Sequence, residues 1–170
     1  MQRTTLHAAV EAEHQGMSMA DNFQRIGSES NAHVGRDFER LAVAALEERG
    51  ISVDLNFAVE VGVSDLKKRH VFDLGSSDPP LIVECKSHKW TSGGNVPSAK
   101  LTVWNEAMYY FACSPDVYRK VLFVLRDERA KTGETLASYY TRTYAHLIPR
   151  GVEIWEFDQG TGSVEVIRDT

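Results

Sequence analysis

Asp73, Glu84 and Lys86 are the residues of this chain whose types and spacing can do chemistry. They lie in the stretch His70–Lys86, HVFDLGSSDPPLIVECK, where two short runs, Arg69–Leu74 and Leu81–Ser87, flank Gly75-Ser76-Ser77-Asp78-Pro79-Pro80. That composition makes a turn, because Gly relaxes the backbone, Pro presets φ, and Ser and Asp bond their own main chain. Pairing the runs with Ser76 opposite Leu81 sets Gly75 against Ile82, Leu74 against Val83, Asp73 against Glu84 and Val71 against Lys86. Side chains alternate between the faces of a strand. One face of the hairpin then carries Phe72, Leu74, Leu81, Val83 and Cys85, and the other gathers Asp73, Glu84 and Lys86, bordered by Val71 and Ile82.

A carboxylate directly opposite a carboxylate is destabilising, and Asp, Glu and Lys are all depleted in strands. A divalent cation offsets that cost. Mg²⁺ takes one or two carboxylates, keeps several waters and is completed by phosphate oxygens. Lys86, on the same face, adds a cation that can orient a water or stabilise charge developing during attack on a phosphodiester. The plainer alternative is a solvent-facing hairpin in which Lys86 screens Glu84. Asp78, beside Pro79 at the turn apex, competes as the first acid but falls out of register.

The hairpin needs a framework, and hydrophobic periodicity supplies one. Val34, Phe38, Leu41, Ala42, Ala45 and Leu46 recur at helical spacing, so residues 35–49 read as a helix stopped by Gly50. Ile51, Val53, Leu55, Phe57, Val59 and Val61 alternate as in a half-buried strand. Residues 99–112 form a second helix with Leu101, Trp104, Met108, Phe111 and Ala112 on one face. Lys120–Leu125 is a buried strand, residues 134–147 are a third helix, and Val152–Phe157 with Val164–Ile167 make a terminal hairpin across Gln159–Gly162. The order is helix, three strands, helix, strand, helix, two strands. It predicts an α/β (α+β layered) domain over 34–170, a mixed sheet flanked by helices. Residues 1–33 lack a sustained pattern and are expected to form an N-terminal arm.

Asp73, followed after ten residues by Glu84-Cys85-Lys86, resembles the signature of the PD-(D/E)XK nuclease superfamily, the restriction-endonuclease-like fold. The helix, three strands, helix, strand order over residues 35–125 is similar to that family's core. The motif departs from the family name at Phe72, where proline is written. The resemblance implies that Asp73 and Glu84 bind Mg²⁺, or Mn²⁺ as a substitute, that Lys86 is the catalytic lysine, and that the Cys85 backbone carbonyl is a further ligand. It also implies a metal role for Glu39 on the first helix, which otherwise reads as an ordinary boundary glutamate. Asn105 and Tyr109, four apart on the second helix, resemble the QxxxY element of one nuclease subgroup with Asn for Gln. Alternatively they are a helix-edge pair.

His88 shares the Glu84/Lys86 face if the strand continues, and would touch phosphate there or be incidental. Lys67, Lys68, Arg69, Lys89 and Lys100 are available for phosphate contacts and Trp90 for base stacking, or they form a solvated charge run. The net charge is −5, yet residues 67–100 carry six basic and three acidic side chains. That stretch holds the acid pair.

The expected activity is a metal-dependent deoxyribonuclease, in first instance an endonuclease, acting on duplex or branched DNA. Little chain remains for base readout, which favours non-specific or structure-specific cutting, or a subunit whose specificity comes from a partner protein; cutting both strands of a duplex needs two sites, which a homodimer would provide. The alternatives are a catalytically inactive nuclease-like module that binds nucleic acid or protein, and a metal-dependent hydrolase of a small phosphoester. Two cysteines, Cys85 and Cys113, make no disulfide framework, no apolar run approaches membrane-spanning length, and Glu11, Glu13 and His14 break any leader-like stretch. A cytoplasmic protein without membrane contact is the expectation.

Overall fold

A computed structural model of the chain describes residues 28–169. Most of the expected arm at 1–33 lies outside them. Helix α1 (Ser28–Glu47) precedes three antiparallel strands, β1 (Asp54–Val61), β2 (Lys68–Ser77) and β3 (Pro80–Lys86). Helix α2 (Ser98–Cys113) leads to β4 (Arg119–Leu125), and α3 (Leu136–Thr143) with a short 3₁₀ turn (Ala145–Leu147) leads to β5 (Val152–Phe157). Strand β6 (Val164–Arg168) closes the chain. The six strands form one mixed sheet in sequential order, with β3, β4 and β5 parallel and the outer pairs antiparallel. The domain is α/β, as the element order predicts.

Helices cover both faces. Phe38, Ala42, Ala45 and Leu46 of α1 pack on Leu74, Leu81, Val83, Val121 and Phe123. Leu101, Trp104, Met108 and Phe111 of α2, with Leu136 and Tyr140 of α3, pack on Phe72, Ile82, Leu122 and Ile154. Strands buried on both sides read as continuous apolar runs, which is why Lys120–Leu125 lacks alternation. Gly50 ends the α1 turn at φ 74°, with Ile51 N–H donating to Leu46 C=O at 3.0 Å and Gly50 N–H to Glu47 C=O at 2.8 Å. This six-to-one plus five-to-two pattern is the Schellman cap. Helix α3 starts two residues after the expected 134 because Thr135 Oγ1 caps it, accepting the Ser138 N–H at 3.1 Å. Val34 differs from the expected stripe and is 51% exposed.

The hairpin register matches the expected one from the turn to the middle of the strands: Ser76 faces Leu81, Gly75 faces Ile82 and Leu74 faces Val83. Gly75 is required there, because a Cβ would lie 2.4 Å from the Phe57 ring and 2.8 Å from the Leu81 carbonyl oxygen. Beyond Leu74 the face pattern changes. Phe72, expected beside Leu74, instead joins the α2 face and stacks with Phe111, while Leu74 stays on the α1 face. The cause is a local bend. Asn56 of β1 adopts φ 56°, a conformation Asn tolerates, and the β1–β2 pairs flank this level at Leu55–Leu74 and Phe57–Phe72. The same bend explains β1, whose expected unbroken alternation switches sides. Ile51 and Val53 pack with α1, Leu55 is exposed, and Phe57, Val59 and Val61 face α2.

Candidate active site

The bend falls at Asp73. The β2–β3 ladder stops at Leu74–Val83, and the next available donor, Cys85 N–H, gives its hydrogen bond to Asp73 Oδ2 at 2.7 Å. The carboxylate is therefore locked by the backbone of the strand that carries Glu84. On β3, Ile82 joins the α2-side core while Leu81, Val83 and Cys85 pack on the α1 side, so period-two alternation aims Glu84 and Lys86 toward α2.

Three side chains converge there. Lys86 Nζ lies 2.5 Å from Glu84 Oε2 and 3.5 Å from Asp73 Oδ2. Glu84 is buried and Asp73 partly open. They line a cleft of about 230 Å³ with His70, Val71, Val103, Glu106, Ala107 and Tyr110. The larger cavity, about 570 Å³ at the C-terminal end of α2, shares none of these residues.

The electrostatics follow from crowding charges in a half-dry place. Burial, reinforced by Asp73 and opposed by Lys86, raises the Glu84 pKa. For Lys86, burial pulls the pKa down, but Glu84 and Asp73 outweigh it and the ammonium is held charged. The two carboxylates thus bracket one cation. Among the described residues, no group of three or more His, Cys, Asp or Glu side chains stands ready to hold a metal ion. A two-carboxylate set fits Mg²⁺, which keeps its waters and shares phosphate oxygens, better than ions that demand a full protein cage. The point occupied by Lys86 Nζ shows that both acids reach a common cation.

Glu39 joins this field from α1. It is half-buried, and burial followed by the charge of Asp73 raises its pKa, with Lys86 and Arg36 opposing. Cys85 turns its side chain into the α1-side core, where burial pushes the thiol well up. Its backbone is what meets the site.

The other expected residues are placed elsewhere or differently. Trp90 is buried beneath Arg129 and against Tyr139, so it offers no open face for a base. His88 accepts the Trp104 indole N–H at Nδ1, 2.9 Å away, and burial, with Lys100 and Lys86 nearby, lowers its pKa to about 4. It is a neutral strut near neutral pH. Asn105 accepts the Tyr140 hydroxyl at 2.9 Å, tying α2 to α3, while Tyr109 stands 59% exposed outside the acidic cleft. The cleft is lined instead by Glu106 and Tyr110, one position further along the helix. Lys67 Nζ braces the turn by donating to Gly62 C=O, and Lys68, Arg69, Lys89 and Lys100 are exposed.

His70 is the site residue that spacing alone did not single out. Its ring stacks on Tyr110 at 3.7 Å and 13°, and meets Phe72 edge-on at 4.7 Å and 82°. Its Nε2 is buried without a hydrogen-bond partner, 3.6 Å from Glu84 Oε1. The available signal was its position three residues before Asp73 on the same strand, but the bend at Asp73 is what turns it toward Glu84. Comparison with known proteins adds no further constraint: no family model, curated protein or solved structure matches the chain.

Proposed function

We propose that the protein is a Mg²⁺-dependent nuclease of the PD-(D/E)XK kind that hydrolyses phosphodiester bonds in DNA. The observation that carries this reading is the convergence of Asp73 and Glu84 on one ammonium, Lys86 Nζ, in an open cleft. Asp73 and Glu84 would hold the metal, with the Cys85 carbonyl and Glu39 as the further ligands the resemblance implies. When bound, the ion would neutralise phosphate charge and make a water more acidic.

The chain's own residues do the rest. Asp73 is fixed by the Cys85 N–H, so its carboxylate needs little reorganisation when substrate arrives. Lys86, held protonated, donates to the phosphate oxygens on which charge builds rather than acting as the base. Water attacks phosphorus in line with the departing ester oxygen, whose bond breaks. The products are a phosphomonoester and a hydroxyl; the attacking water gives up a proton to solvent and the leaving oxygen takes one up from solvent, so the protons balance. No side-chain nucleophile is required.

Nicking of supercoiled plasmid tests the proposal. Activity should appear with Mg²⁺, vanish with EDTA, and fall by about 10²–10³ in Lys86→Ala. Undiminished nicking by that variant would sink the catalytic assignment. The second reading, an inactive nuclease-like binding module, draws on the Lys86–Glu84 contact, which neutralises the site internally, and on the acidic net charge. It predicts DNA or protein binding with no metal-dependent cutting in the same assay.

A further inference from the structure

Beside the acidic cleft runs a second groove of about 280 Å³, and Tyr110 lines both. Its walls include Val63, Leu66, Lys68 and Tyr109. Leu66 is 84% exposed, Val63 76% and Tyr109 59%. Large apolar side chains gathered at one open spot, with an aromatic ring among them, mark an interaction surface. Charge selects the occupant. Lys68 lines the groove and the exposed Arg69 follows it in sequence, whereas the adjoining cleft is acidic.

An exposed ring with a cation beside it suits a nucleobase stacked on the aromatic face and a phosphate on the ammonium. A base inside a duplex has no free face to offer, so such a groove favours an unpaired strand. We infer that this groove binds an unpaired nucleotide next to the scissile phosphate, making single-stranded or frayed DNA the preferred substrate. The inference rests on the nuclease reading for the identity of the strand. Tyr110 lines both the groove and the cleft, which places the occupant of one beside the occupant of the other.

Fluorescence anisotropy with EDTA present, so that cutting is off, tests it on the full chain. The probes are a labelled oligothymidylate of about 12 nucleotides and a blunt duplex of similar length. The single strand should bind more tightly. Tyr109→Ala should weaken single-strand binding roughly tenfold with little effect on the duplex, while Tyr109→Phe, which keeps the ring, binds like the original. Lys68→Ala should flatten the salt dependence by about 0.7 in log K against log salt. Equal loss on both probes, or no loss, overturns the inference. So does a Tyr109→Ala effect on self-association in sedimentation with none on DNA, which would make the surface a contact between copies. Tyr109-dependent binding without Lys86-dependent nicking would sink the nuclease reading and leave the groove. Nicking with no Tyr109 effect on binding would do the reverse.

Discussion

Two buried glutamates on the same sheet have opposite fates. Glu153 on β5 is gripped by the Arg119 fork at 2.6 and 2.8 Å and by the Trp155 indole N–H at 2.8 Å. These hydrogen bonds, Arg119's first, hold its carboxyl below the ordinary 4.5. Glu84 on β3 has one ammonium, shared with Asp73, and an imidazole nitrogen too far to bond. Its carboxyl is pushed up by burial. A carboxylate that serves structure is saturated by rigid donors, and a bidentate Arg is the strongest of them. On the nuclease reading, Glu84 is left under-coordinated because a bound ligand would complete its surroundings. Under-coordination around a shared cation is insufficient by itself: Glu156 also has an unpartnered oxygen and shares Arg126 with Glu165, at 3.1 and 3.3 Å, yet its side chain is fully buried, whereas Glu84 lines an open cleft.

The sharpest way to break this contrast is activity. On the nuclease reading, Glu84→Gln should lower Mg²⁺-dependent nicking by at least about 10², while Glu153→Gln leaves it within about threefold, because the first would hold the metal and the second is committed to Arg119 and Trp155. Equal losses would erase the distinction. Thermal or chemical unfolding reads the next largest effect, in the opposite direction. Glu153→Gln should cost about 2 kcal/mol, since it breaks a bidentate pair around a buried group. Glu84→Gln should stay within about 1 kcal/mol of the original or gain slightly, because relief from burying a charge offsets the Lys86 attraction that is lost.

The smallest effect is the pH dependence of those differences. A lowered pKa means that Glu153 stabilises above 4.5 and loses that contribution as pH falls through its folded value. A raised pKa means that the folded state favours protonated Glu84, so its relative stabilisation is present below 4.5 and lost as pH rises through its folded value. Melting followed from neutral pH to below 4.5 should therefore show both variants converging on the original, Glu153→Gln from below and Glu84→Gln from above. A Glu84→Gln variant that lies below the original at neutral pH and converges on it from below in acid, as Glu153→Gln does, would show that Glu84 is a stabilising partner of Lys86 and nothing more.

Much of this was legible in local pattern. Turn composition at Gly75–Pro80 and the two-residue alternation around it specify the hairpin register, because a slip by one would turn every apolar side chain to the wrong face. Helical spacing and Gly50 locate α1, and the apolar run of β4 announces a strand covered on both sides. Asn105 and Tyr109 illustrate the limit. Spacing puts them on one helix edge, but one residue of rotation, about 100°, decides whether a side chain meets the cleft, α3 or solvent, and that rotation is set by packing against the sheet. Trp90 likewise reads as a surface aromatic in a basic stretch, until Arg129 and Tyr139 cover it.

By itself, then, the sequence determined the element order, the turn that pairs β2 with β3, and the presence of Asp73, Glu84 and Lys86 within a few residues of one another across that turn. The tertiary structure decided the rest: the bend at Asn56 and Asp73 that sends Phe72 and His70 to the α2 face, the Cys85 N–H that captures Asp73, and the helix rotation that offers Tyr110 to the cleft. The physical reason is that periodicity encodes which side of an element is apolar. A break in that period, and the partner that fills it, depends on contacts between residues far apart in the chain.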